Sequence, residues 1–188
     1  MSGSVVFHID VNSAFLSWEA VHRIKHLGAQ LDLRTIPSAI GGDLTTRHGI
    51  ILAKSIPAKK FNIQTGEPVT DALRKCPNLV LAPPDYELYE KNAKAFMAIL
   101  RKYSDKVEQY SIDEAFMDMS GTERLFGTPV IAASAIKDEI RQKLGFTVNV
   151  GISSNKLLAK MASDFSKPDR VHTLFPEEIE KKMWPLPV

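Results

Sequence analysis

The chain has 188 residues, of which 44% are hydrophobic and 24% charged, a globular composition that excludes a mostly disordered or fibrous protein. Lys and Arg number 24 against 22 Asp and Glu, a net of +2, so total charge announces no nucleic acid and only the placement of charges can. Cys76, the single cysteine, excludes an internal disulfide and fits a reducing cytoplasm, and the longest apolar run, residues 95–100, is far too short for a membrane span.

Residues 5–10 are apolar and β-branched and read as a buried strand. Asp10 breaks the apolar stretch and no basic run precedes it, which argues against a signal peptide. Ser13 is placed to cap a helix running to His26, with Gly28 as its stop. Residues 35–40 and 49–53 read as two strands around a turn at Gly41-Gly42-Asp43. Two short helices follow, one started by Ser55 with Pro57 behind it, the other marked by Pro68. Residues 79–82 form a short strand closed by Pro83-Pro84. Asp85 caps the clearest helix, with Leu88, Tyr89, Asn92, Phe96, Met97 and Leu100 near helical spacing. Residues 107–112 and 115–119 read as strands separated by a very tight turn at Asp113-Glu114. Thr128-Pro129 opens a helix that shows Ala132, Ala133, Ile136, Ile140 and Leu144 on one face and stops at Gly145. A strand over 147–152, a helix over 155–165, an extended piece over 171–174 and a helical piece over 177–183 complete the order.

One strand, then strand–strand, then helix–strand is an α+β layout: a ferredoxin-like split βαβ sheet with helices packed on one face. Residues from about 28 to 78 fall outside that pattern and read as a small inserted lobe. The ending Trp184-Pro185-Leu186-Pro187-Val188 supplies no closing element, as expected of a fragment of something longer.

Charge is unevenly spread. Residues 45–62 hold Arg47, Lys54, Lys59 and Lys60, with His48 and no acid; Lys156, Lys160, Lys167 and Arg170 form a second basic stretch, diluted by Asp164 and Asp169. Such runs are solvated surfaces more often than not. The sharper reading is a face that meets phosphates.

Asp10 ends the first strand, where a charge must be exposed, paired or bound to a metal. Asp113 and Glu114 alone would pass for an ordinary turn. In the proposed sheet, however, their hairpin lies beside the first strand and brings the three carboxylates together. Hard oxygen donors crowded at one sheet end repel one another unless cations neutralise them, and Mg²⁺ is the natural occupant. Two such ions about 4 Å apart would stabilise both attacking and leaving oxygens in phosphoryl transfer.

The stretches HIDVNSAF (residues 8–15), YSIDEAFMD (residues 110–118) and GISSNKLLAKMASDFSKP (residues 151–168) resemble the palm motifs of Y-family translesion DNA polymerases. AKSIPAKKFNIQTGEP (residues 53–68) is similar to their fingers segment, nearest the branch of the bacterial polymerase V catalytic subunit. SIDE alone would be weak; separated motifs in the right order over nearly the whole chain are specific. The resemblance implies an error-prone, lesion-bypass DNA polymerase shaped as a right hand. Its palm would be residues 1–27 and 78–167, its fingers 28–77, and 168–188 the start of a truncated thumb. Beyond Val188 it implies the rest of the thumb and a little-finger domain.

Carried over by the resemblance, Asp10 and Asp113 bind two Mg²⁺ ions with the Val11 carbonyl assisting, and Glu114 completes the catalytic and metal site beside the primer 3′-hydroxyl. Phe15 falls at the steric gate that excludes a ribose 2′-hydroxyl, and Lys167 on the incoming triphosphate. Without the motifs, Phe15 would read as a core-facing helix aromatic and Lys167 as a solvated loop lysine. Where the polymerase IV branch grips the triphosphate with Tyr and Arg, this chain has Ile56 and Lys59, and Lys offers a point charge without the fork of Arg. The implied partners are primer-template DNA and dNTP, with a sliding clamp reached through regions absent from this chain and no membrane. The implied setting is the cytoplasm and the SOS response to DNA damage.

Two readings compete. Gly41-Gly42-Asp43 hints at a palm-type nucleotide cyclase, but it lies in the inserted lobe, far in sequence from Asp113-Glu114. A non-catalytic DNA-binding or regulatory relative would show itself by a lost carboxylate, and all three are present.

Overall fold

The structure is a computed structural model that describes residues 3–42 and 49–186. In chain order its elements are β1 (Val6–Val11), α1 (Ala14–His26), β2 (Ser38–Gly41), β3 (Ile51–Lys54), α2 (Ile56–Lys59), α3 (Val69–Lys75), β4 (Val80–Ala82), α4 (Tyr86–Leu100), β5 (Val107–Gln109), β6 (Glu114–Asp118), α5 (Glu123–Phe126), α6 (Pro129–Leu144), β7 (Val148–Ser153), α7 (Lys156–Ser163), β8 (Val171–Thr173) and α8 (Ile179–Lys182). They fall into two compact units, Met1–Asn12 with Asn92–Val188, and Ser13–Lys91.

In the first unit, β1 lies at the centre of a five-stranded sheet of order β5-β6-β1-β7-β8. It pairs antiparallel with both β6 and β7, and β8 adds parallel to β7. The first four strands reproduce the expected ferredoxin-like order. Strand alternation sorts the two faces. Phe7, Ile9, Ala115, Met117, Val148, Val150 and Ile152 share one face, each no more than 1% exposed. His8, Asp10, Glu114, Phe116, Asn149, Gly151 and Ser153 share the other.

Thr128 caps α6 by accepting from the Ile131 N–H at 3.5 Å, Pro129 opens it, and Gly145 ends it at φ 86°, a left-handed conformation that glycine adopts without strain. Its Ala132, Ala133, Ile136 and Ile140 are buried, and the helix packs on β7 and β8. Asn155 caps α7, accepting from the Leu158 N–H at 2.9 Å. α7 crosses the polar face directly over Gly151, where a Cβ would overlap the Ala159 carbonyl oxygen and the Ser163 nitrogen. Only a residue without a side chain permits that approach.

The hairpin departs from its expected shape. β5 stops at Gln109, the turn takes residues 110–113, and Glu114 is the first residue of β6. The N–H groups of Tyr110 and Ser111 both donate to the Glu114 carbonyl, at 3.0 and 3.2 Å. Ser111 Oγ donates to Asp113 Oδ1 at 2.7 Å and accepts from the Asp113 N–H at 3.3 Å. These local side-chain bonds make the turn longer than Asp113-Glu114 alone.

In the second unit, β2 is central, antiparallel to β3 and parallel to β4. Ala39, Ile51, Ala58, Ile63, Val69, Ala72, Cys76 and Leu79 form its buried cluster, so Cys76 serves as a small apolar side chain. Ser55 caps α2 by accepting from the Ala58 N–H at 3.1 Å, and it also accepts from Ser38 N and donates to the Ile36 carbonyl. Asp85 caps α4 through the Leu88 N–H at 3.0 Å. Ser13 occupies the cap position of α1 but contributes only its carbonyl, to the Ser17 N–H; at φ 47° its side chain makes no capping bond. Leu33–Thr35 is a 3-10 turn capped by Asp32, so β2 starts later than expected. Asp43, Arg47 and His48 lie outside the described residues. Among the described residues no helix is long and apolar enough to cross a membrane.

Candidate active site

The first unit gathers Asp10, Asp113, Glu114 and Lys167 where β1 leaves the sheet. Register sets Asp10 opposite Glu114 on one side and Asn149 on the other. The Asp113 carbonyl accepts from the Val11 N–H at 3.0 Å, which ties the turn to the end of β1. Val11 is 2% exposed and its N–H is occupied, so its carbonyl oxygen is the atom it could offer a metal.

Two lysines complete the cluster. Lys167 pairs with Asp10 and, at 2.8 Å, with Asp164; Lys160 pairs with Glu114 at 2.5 Å and stands 5.1 Å from the Tyr110 ring centroid. Lys156 pairs with Glu108. Three members of the second basic stretch, Lys156, Lys160 and Lys167, therefore pair with acids of their own unit. Burial pushes the Asp10 carboxyl up from its ordinary value, the Lys167 ammonium opposes this, and the charges of Glu114 and Asp113 add to the rise. Burial also works against charge on Lys167, but Asp10 and Asp164 outweigh it and hold its pKa up. The pair is asymmetric because burial outweighs the lysine at Asp10, whereas two carboxylates outweigh burial at Lys167.

Among the described residues, no set of three or more His, Cys, Asp or Glu side chains is arranged to hold a metal ion. Asp10 and Glu114 are each engaged by a lysine instead. The donor chemistry still fits Mg²⁺: hard carboxylate oxygens and one main-chain carbonyl, with mutual repulsion at Asp10 that a cation would relieve. Sequence reasoning did not find the partner of Lys160. Lys160 and Glu114 stand 46 residues apart in sequence, and no local pattern marks the pair.

Behind Glu114 lies His8, 0% exposed. Its Nδ1 is 2.8 Å from Ser163 Oγ, which donates its own proton to the Lys160 carbonyl, so the network assigns the imidazole hydrogen to Nδ1. Nε2 lacks a hydrogen-bond partner and stands 3.8 Å from Glu114 Oε1. Burial, reinforced by Lys160, lowers the His8 pKa from 6.5 to about 4. Between those values the unfolded chain binds the proton more readily, so stability falls as pH drops through the window. The full loss is on the order of 3 kcal/mol. Thermal unfolding of wild type and His8→Gln between pH 7 and 4 measures this: the variant is expected to lose less with falling pH. Equal slopes would assign the titration to another group.

Phe15 and Lys59 belong to the second unit. Phe15, half-buried on α1, stacks on Tyr89 with ring centroids 4.4 Å apart and planes 10° from parallel, and meets Trp18 at 6.0 Å. That stack holds the ring in one orientation. Lys59 is exposed at the end of α2. Burial lowers the Lys54 pKa, Lys59 adds to the fall, and Glu67 opposes it, so the charges of Lys54 and Lys59 are near enough to interact.

Residues 9–164 match the impB/mucB/samB family. A DNA polymerase IV of Clostridium acetobutylicum is 53% identical over 184 residues, which cover 98% of this chain and 46% of that protein. One of Alkaliphilus oremlandii is 40% identical over 184 residues, covering 98% and 44%. The crystal structure of DinB from Sulfolobus solfataricus is 30% identical with a TM-score of 0.81, covering 94% of this chain and 50% of that one. This chain thus spans about half the length of the curated relatives it matches. Both relatives carry the name DNA polymerase IV, and neither supports the narrower placement beside polymerase V that the fingers segment suggested. The match over residues 9–164 and the shared fold lead to one conclusion: the chain belongs to the impB/mucB/samB family, the Y-family DNA polymerases.

Proposed function

We propose that the chain carries the palm and fingers of an error-prone, lesion-bypass DNA polymerase, which transfers deoxynucleotides to a primer 3′-hydroxyl by two-metal chemistry. What supports this most is the cluster of Asp10, Asp113 and Glu114 with Lys160 and Lys167 at the end of β1, in a chain of this family. The palm would be residues 1–27 and 78–167, the fingers 28–77, and 168–188 the start of the thumb.

Asp10 and Asp113, with Glu114 and the Val11 carbonyl, are the residues that would hold two Mg²⁺ ions. Bound there, the ions would polarise the phosphoryl oxygens and activate the 3′-hydroxyl. The chain's own residues do the remaining work. Lys167 moves from Asp10 to the triphosphate, exchanging one anionic partner for another. Lys160 keeps Glu114 oriented toward the primer terminus. Lys59 supplies a second positive charge to the triphosphate, without the fixed fork that Arg would give. Primer-template DNA and dNTP are the substrates, a sliding clamp is met through residues outside this chain, and the setting is the cytoplasm during the SOS response.

Templated primer extension by the full-length protein in Mg²⁺ tests the reading, and failure to extend any primer would refute it. A second assay tests Phe15. The stack on Tyr89 fixes its ring, so Phe15→Ala is expected to raise ribonucleotide use relative to deoxyribonucleotide by at least about tenfold, the effect of losing one well-placed exclusion contact. Competition between matched NTP and dNTP measures the ratio. An unchanged ratio would leave Phe15 as a packing residue only.

A further inference from the structure

The segment that carries Lys167 is gripped by a buried amide pair to which neither the motifs nor the carboxylates give a role. Asn149 on β7 is 0% exposed. Its Nδ2 donates to the carbonyls of Ser163 at 2.9 Å and Ser166 at 2.6 Å. Its Oδ1 accepts from Asn12 Nδ2 at 3.1 Å and from the Arg170 N–H at 3.2 Å. Asn12 Oδ1 in turn accepts from the Asp169 N–H and from Thr147 Oγ1, both at 3.0 Å. Two main-chain carbonyls before Lys167 and two main-chain N–H groups after it are therefore held by one amide pair.

An apolar side chain at this position would take from the Ser163 and Ser166 carbonyls and from the Arg170 N–H the partner they have in Asn149. A buried amide is tolerated only when every donor and acceptor is satisfied, and its partners are then held in direction as well as distance. The specific consequence of Asn149 is thus the path of residues 163–170. Lys167 hangs on that path by a flexible four-carbon stem, so its reach is set by where its main chain lies.

We propose that Asn149, acting with Asn12, is a positioning residue for nucleotide binding, which fixes the main chain of residues 163–170 so that Lys167 reaches the triphosphate by a movement of its side chain alone. This rests on the reading of Lys167 as a triphosphate ligand. The test is single-nucleotide incorporation by the full-length protein as wild type, Asn149→Ala, Lys167→Ala and the double variant. Asn149→Ala is expected to raise the dNTP KM about tenfold with kcat within about twofold, the scale of a lost network bond acting through position. In the Lys167→Ala background, Asn149→Ala should add no more than about twofold, because the group it positions is gone. Amide exchange at Asp169 and Arg170 should accelerate at least about tenfold in Asn149→Ala, with β1 and β6 unaffected. Should Asn149→Ala not fold, Asn12→Ala enters the same cycle with the same expectation. Unchanged KM, unchanged exchange, or full additivity with Lys167→Ala would each overturn the inference. If Lys167→Ala alone leaves KM unchanged, the triphosphate reading falls and the inference with it. That result is distinguishable from additivity, which leaves Lys167 in its role and removes only the clamp.

Discussion

Asp10→Ala and Asp113→Ala in the full-length protein are each expected to cut primer extension by at least about a thousandfold, which corresponds to roughly 4 kcal/mol of transition-state stabilisation. Each change removes a hard oxygen donor from the end of β1, where Asp10 lies opposite Glu114 and the Asp113 carbonyl accepts from the Val11 N–H. The fold should persist. Asp10 is a buried carboxylate whose pKa burial has already raised, so losing it relieves an unfavourable charge, and Lys167 retains Asp164 at 2.8 Å. Asp113→Ala loses the bond from Ser111 Oγ to its carboxylate, but its main-chain N–H can still donate to Ser111 Oγ and its carbonyl can still accept from Val11. Circular dichroism and thermal unfolding beside the extension assay separate chemistry from folding. Substantial extension by either folded variant would remove the carboxylates from the catalytic site.

Gly151→Val is expected to destabilise the first unit by about 3 kcal/mol or more, an overpacking cost at the upper end because the obstruction is backbone. The added Cβ would overlap the Ala159 carbonyl and the Ser163 nitrogen, neither of which can rotate away. α7 must then lift from β7 and β1, taking with it Lys160 and the hydrogen bond between Ser163 and His8. For a chain of this size such a loss lowers the thermal midpoint by about 6–12 °C. A midpoint within a degree or two of wild type would mean that α7 does not sit against Gly151.

Why some of this was legible in the sequence and some was not has physical causes. β1, β6 and β7 show themselves as apolar runs, and the order strand, hairpin, helix, strand leaves little choice of sheet. That was enough to bring Asp10 beside Asp113 and Glu114. Glu114 itself was misplaced into the turn, because a charged residue at the start of a strand looks the same as one at its end; its pairing with Asp10 shows only in the register. Asn149 was hidden for a related reason. In a strand alternating Val-Asn-Val-Gly, a polar residue reads as facing water, and nothing local says that α7 covers that face. Gly151 did carry a signal, since a lone glycine in a strand marks a close backbone approach. Ion pairs across long sequence separations, Lys160 to Glu114 and Lys167 to Asp10, left no local trace. The fingers segment, residues 53–68, drew the reading toward the polymerase V branch, although the relatives compared are named DNA polymerase IV. One short segment is too little to place a branch.

The most direct measurement is incorporation of one nucleotide opposite each of the four template bases by the full-length protein, with Mg²⁺ and with the metal chelated, beside an Asp10→Ala, Asp113→Ala double variant. Incorporation should follow the template base, require the metal, and vanish in the double variant. Incorporation that ignores the template, survives chelation, or persists in a folded double variant would contradict a two-metal polymerase site at the end of β1.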